Sequence, residues 1–136
     1  MPEVKVHLTQ VGPTTSEAAM PRGHALLVDR PEAKGGHDEG PMGGEYFLTA
    51  VGGCFMSTLL AAINAREAPV TNVRTEVTGT LEDTPPRWTA VSLQVTADCD
   101  DAELFAKLVQ VAENGCIMMN SLKRGIDLGV HVGAPV

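Results

Sequence analysis

Three cysteines, Cys54, Cys99 and Cys116, are the side chains of this 136-residue chain whose type suits nucleophilic or redox chemistry. A thiolate attacks electrophilic oxygen or sulfur, so the question for each cysteine is what would ionise it and what would hold it. The chain begins MPEVKVHLTQ, with no basic segment leading into an apolar one, and is read as cytoplasmic. In a reducing compartment three cysteines are not a disulfide framework: each is a core residue, a ligand or a reactive thiol. Cys99 continues the buried parity of Val91, Leu93, Val95 and Ala97 and reads as a small core residue. Cys54 follows Gly52-Gly53 on an apolar helical stripe. Glycine inside a helix costs about 1 kcal/mol against alanine and implies close approach by another group, which favours a reactive Cys54 over an inert buried one. Cys116 follows Asn114-Gly115, a helix stop, and opens a new helix. Unpaired N–H groups there would stabilise a thiolate, and position alone leaves its reactive and structural readings open.

The remaining candidates are weaker. Glu45 precedes Cys54 by nine residues in the same predicted helix, about 13 Å of rise, and by itself reads as a favourable charge at a helix start. His7, His24, His37 and His131 have no metal-ligand spacing, so neither zinc nor another metal is expected. No phosphate loop, dinucleotide fingerprint or nucleophile elbow occurs, and no cofactor is expected. A net charge of −7 argues against a nucleic-acid partner. No apolar run is read as reaching the roughly 18 to 20 residues of a membrane span.

The elements that must position the cysteines follow from periodicity. Val4, Val6 and Leu8 alternate with polar residues; so do Val73, Thr75, Val77 and Leu81, then Val91 to Ala97, then Ile126, Leu128, Val130 and Val132. Such period-two runs predict antiparallel strands with one face buried, with a turn at Asp83, Pro85 and Pro86, and residues 24–29 form a shorter strand. From about Glu45 to Ala65 a helix is apolar nearly all round, with Phe47, Val51, Cys54, Thr58 and Ala62 on one stripe, and must be buried in a core or subunit interface. A second helix, about 101–113, carries Asp100 or Asp101 as its cap and Phe105, Val109 and Ala112 inward; a short third runs from about Cys116 to Lys123. Residues 31–44 are a glycine- and proline-rich loop, and residues 1–136 read as one α+β domain.

The stretch GHALLVDRPEAKGGHDEGPMGGEYFLTAVGGCF, residues 23–55, with AENGCIMMNSL around Cys116, resembles the OsmC/Ohr family of osmotically inducible and organic-hydroperoxide-resistance proteins. Family members carry a Gly-rich loop, a helix with the first cysteine in an A-x-G-x-C segment, and a second cysteine about sixty residues on. The resemblance implies an antiparallel sheet packed on a long buried cysteine-bearing helix, in an intertwined homodimer. It also implies a thiol peroxidase: Cys54 attacks an organic hydroperoxide, Cys116 resolves the sulfenic acid as a disulfide, and a dithiol restores both. Glu45 would partner an arginine that stabilises the thiolate, with Arg22 the first candidate and Arg30 the second. Ile117 stands where the family often has proline, and without a gap the glutamate of the peroxidase branch falls on Gly44. The string RGHALLVD is closer to the OsmC-like branch. Phe47, Phe55, Met56, Met118 and Met119 are expected to line an apolar pocket. The alternative function is a dimer that binds a small apolar ligand without turnover.

Overall fold

The computed structural model describes residues 1–133. Strands β1 (His7–Gln10), β2 (Ser16–Ala19) and β3 (Ala25–Val28) are followed by helix α1 (Gly43–Ala65), strands β4 (Thr71–Asp83) and β5 (Pro86–Asp98), and helices α2 (Ala102–Gly115) and α3 (Ile117–Arg124). Both sheets are antiparallel, one of order β1-β2-β3 and one of β4-β5. The chain forms two compact units, Met1–Thr49 and Ala50–Val136.

In the first unit β2 pairs with both neighbours, Ala18 facing Leu8 on one side and Leu26 on the other. Only Thr15, Ala18 and Asp29 are buried among residues 1–49. Hydrogen bonds rather than apolar packing organise this unit. Asp29 Oδ1 accepts from Thr14 Oγ1 at 2.8 Å and from Arg30 N at 2.7 Å; Oδ2 accepts from Thr15 Oγ1 at 2.8 Å and Glu39 N at 3.1 Å. One carboxylate thus ties the β1–β2 turn to the loop after β3. Burial alone would raise its pKa, but the four donors, Arg30 N–H foremost, outweigh that and hold it well below the ordinary aspartate range. Glycine is needed twice in that loop: a Cβ on Gly36 would collide with Arg30 O, and one on Gly40 with Leu27 O.

The second unit has an apolar core. Phe55, Leu59, Ala62 and Ile63 of α1 meet Leu108 and Ala112 of α2, with Val73 of β4 and Leu93 and Val95 of β5 packed against them. Each fully buried Leu or Phe contributes about 1.5–3 kcal/mol relative to exposure. The predicted β4 and β5 alternation holds from Val73 to Gly79 and from Val91 to Ala97. It breaks at an irregularity between Thr80 and Leu81, which leaves Leu81 exposed. Asp101, one of the two predicted caps, starts α2 by accepting from Leu104 N at 3.0 Å. On α2 the buried residues are Leu108 and Ala112; Ala112 belongs to the predicted stripe, Leu108 does not, and the predicted Phe105 and Val109 are half-buried.

Three expectations are corrected. Residues 126–132 form no strand, and Leu128 is 89% exposed: alternation specifies a strand only when an edge is there to pair with it, and among the described residues none does. Val4 and Val6 precede β1, and all four residues of β1 are exposed. The 23 residues of α1 do reach the length and composition of a membrane span, although the stretch that passes that test is only 33% buried. Its buried residues are Val51, Gly52, Phe55, Leu59, Ala62 and Ile63, so the predicted stripe through Cys54 and Thr58 lies at the margin of the buried face. The opposite face shows Ala50, Gly53, Ser57, Leu60 and Ala61.

Candidate functional site

Cys54 is half-buried on α1, one residue before the core residue Phe55. Its carbonyl accepts from Thr58 Oγ1 at 2.9 Å, a bond within the helix that keeps the threonine hydroxyl from the sulfur. Gly52, two residues earlier, explains part of the glycine pair: a Cβ there would meet Val77 Cγ2 at 2.6 Å, so β4 approaches α1 at this turn. Gly53 faces open space.

Cys116 forms the elbow between α2 and α3. Its N–H closes α2 by donating to Glu113 O at 3.4 Å, and its carbonyl opens α3 by accepting from Asn120 N at 3.0 Å. Asn120 Nδ2 donates to Asn114 O at 3.0 Å, and Lys123 Nζ lies 2.6 Å from Glu113 Oε2, so the elbow is clasped on both sides. Cys116 is 0% exposed. Its Sγ–H donates to Cys54 Sγ at 3.5 Å, across 62 residues of chain. A disulfide is about 2.05 Å long, so joining them needs about 1.5 Å of closure.

Burial pushes the Cys116 thiol above its ordinary value. The backbone N–H groups of Met119 and Met118 at the start of α3 pull the other way, and the adjacent Cys54 adds to the rise. The expected helix-start effect is present, but desolvation outweighs it. Burial therefore favours the protonated form of Cys116.

The other predicted residues lie elsewhere. Cys99 is half-buried against the core after β5, with Sγ 3.3 Å from Asp101 O, consistent with its core reading. Glu45, in the first unit, accepts from Met42 N at 2.9 Å with Oε1, one half of a capping box at the start of α1. Among the described residues no ion pair joins Glu45 to Arg22 or Arg30. Arg22 sits in the turn Pro21–Gly23 at φ 63°, a left-handed conformation that disfavours side chains. An apolar cavity of about 240 Å³ is lined by Phe55, Val91, Leu93, Val95, Val109 and Met119, with Glu113 and Lys123. Of the predicted lining it contains Phe55 and Met119; Phe47, Met56 and Met118 are not in it, and neither cysteine lines it. Met56 instead accepts at Sδ from Thr75 Oγ1 at 3.0 Å. Among the described residues no cluster of three His, Cys, Asp or Glu could hold a metal. Asp29 with Thr14, Thr15 and His37, whose Nδ1 is 2.9 Å from Thr14 Oγ1, is a polar cluster not anticipated from the sequence. The only local signal was an aspartate closing a strand before the proline of a loop.

The family model for the OsmC-like protein matches residues 36–131, which include both cysteines of the pair. The chain belongs to the OsmC-like family. No curated protein matches it. Among solved structures, an OsmC-like protein from Mycoplasma pneumoniae is 15% identical, covers 90% of this chain and 88% of its own, and superposes with a TM-score of 0.75. An organic hydroperoxide resistance protein from Elizabethkingia anophelis is 22% identical, with 92% and 90% covered and a TM-score of 0.67. The organic hydroperoxide resistance protein OhrB of Bacillus subtilis is 19% identical, with 90% and 91% covered and a TM-score of 0.61. At these identities the likeness establishes the shared α+β fold of this OsmC-like protein, with antiparallel sheets and a long helix.

Proposed function

We propose that this OsmC-like protein is a cytoplasmic thiol peroxidase that reduces organic hydroperoxides in oxidative-stress defence. The observation that carries the reading is the 3.5 Å approach of Cys116 Sγ to Cys54 Sγ, with the fully buried thiol as donor. Cys54, the more accessible sulfur, attacks the terminal peroxide oxygen and becomes a sulfenic acid. Cys116 condenses with it to a disulfide and releases water, and a dithiol reduces the disulfide. Arg22, with Glu45 as partner, is proposed on the family resemblance alone as the cation that favours the Cys54 thiolate.

A homodimer is part of the proposal. The exposed face of α1 offers Ala50, Gly53, Ser57 and Ala61, small side chains that let another helix approach, and a second copy would cover it. Light scattering should give twice 14.3 kDa, and a stable folded monomer at micromolar concentration would count against it.

A second reading, a dimer that holds a small apolar ligand without turnover, is favoured by one observation: the apolar cavity beside Phe55 and Met119 contains neither sulfur. Consumption of cumene hydroperoxide, supplied with dithiothreitol or a lipoyl dithiol, separates the two. The peroxidase should turn over, and after stoichiometric oxidation without reductant should carry a Cys54–Cys116 disulfide within one chain. Ligand uptake into the cavity without any peroxide consumption would select the binding protein.

A further inference from the structure

The two thiols differ in more than exposure. Cys116 is wholly enclosed, donates its S–H to Cys54, and holds its sulfur where the first amides of α3 converge, those of Met118 and Met119. Both features serve the resolving role, and they also place an acidic hydrogen beside the attacking sulfur. The arrangement suits a group that holds its proton at rest and can pass it on beside Cys54, with the amides offsetting part of the burial cost of the anion.

We propose, resting on the peroxidase reading, that Cys116 is the proton donor of the first step as well as the nucleophile of the second. Attack of the Cys54 thiolate on the terminal oxygen of ROOH forms the S–O bond and breaks the O–O bond. The departing oxygen, which would otherwise leave as the strongly basic alkoxide RO⁻, takes the proton of Cys116. The products are the Cys54 sulfenic acid, the alcohol ROH and the Cys116 thiolate. That thiolate, held by the amides of Met118 and Met119, attacks the sulfenic sulfur; the S–S bond forms and hydroxide leaves. Peroxide is reduced by two electrons and the two sulfurs are oxidised by two. One proton therefore links the steps. Cys116 becomes nucleophilic only after a peroxide bond has been cleaved, which keeps the resting pair reduced and makes resolution follow at once.

The test uses leaving groups of different basicity. Single-turnover oxidation of the reduced protein is followed for tert-butyl hydroperoxide, cumene hydroperoxide and peracetic acid, whose carboxylate leaving group needs no proton. A positioned acid typically contributes about 10²–10⁴-fold. In Cys116→Ala the rate of Cys54 oxidation by both alkyl hydroperoxides should fall by at least about a hundredfold, while that by peracetic acid stays within a few-fold. Cys116→Ser, which keeps the side-chain size with a far weaker acid, should behave like Cys116→Ala. An intact peracid rate shows that the fold and the Cys54 nucleophile survive. If alkyl and peracid rates fall together, or neither falls, the proton-donor role is wrong while the peroxidase reading stands. If the unsubstituted protein oxidises Cys54 with none of the three, both fall.

Discussion

The two units of this OsmC-like protein are held together by different physics. Residues 1–49 bury one small apolar side chain, Ala18, and are organised around the ionised carboxylate of Asp29 and its four donors. Residues from Ala50 onward bury Phe55, Leu59, Ile63 and Leu108 against a two-stranded sheet, and hold Cys116 within that core beside Cys54 at its margin. The first unit depends on charge and on donor geometry; the second depends on volume. The contrast also shows why the thiol pair belongs to the second: a close-packed apolar setting is what keeps the proton on Cys116.

The sharpest test of that difference is chemical. Cys54→Ser should abolish hydroperoxide consumption, whereas Cys99→Ser, at a half-buried position against the core, should leave the turnover rate unchanged. Equal losses in both, measured under the same dithiol supply, would overturn the division of roles among the three cysteines.

Next in size is the packing of the second unit. Leu108 of α2 is fully buried against the core residues of α1. Leu108→Ala should cost about 2–5 kcal/mol in urea unfolding, with no change in that loss between pH 4 and pH 7. A loss that varied over this range would mean that charge also holds the second unit.

Asp29→Asn should behave in the opposite way. The amide would set an NH₂ against two of the four donors, so the variant should be less stable at neutral pH. The folded-state pKa of Asp29 is depressed, so its stabilisation is fully present above the unfolded value of about 3.9 and is lost as pH falls toward the lower folded value. Unfolding curves of the natural and variant proteins should therefore converge on acidification below about pH 4. A constant gap would show that shape, not ionisation, is what Asp29 supplies.

The smallest contrast lies within α1. Gly53→Ala, in open space on the exposed face, should stabilise an isolated chain by up to about 1 kcal/mol through helix propensity. At Gly52 the new methyl would press on Val77 at 2.6 Å, and overpacking of about 1–3 kcal/mol should cancel or exceed that gain. Thermal melts of the two variants should shift in opposite directions or differ clearly in size.

What the sequence by itself determined is local in origin. Alternation placed β4 and β5, the cap at Asp101 and the stop at Asn114-Gly115 bounded α2, and the absence of proline after Met42 let α1 run unbroken. These signals act within a few residues, where backbone sterics and capping dominate. The family resemblance added the pairing of Cys54 with Cys116, which periodicity left open.

Tertiary structure alone decided the rest. It brought two sulfurs 62 residues apart to 3.5 Å, because the clasped elbow between α2 and α3 returns Cys116 to the margin of α1. It buried Asp29 through partners 14 and 15 residues before it, a closure that no local pattern encodes. It left Ile126 to Val132 unpaired despite their strand pattern, since a strand also needs an edge. It also reversed the expected sign at Cys116. A helix start favours a thiolate, but how far a side chain is enclosed is set by the packing of the whole unit, and there enclosure wins.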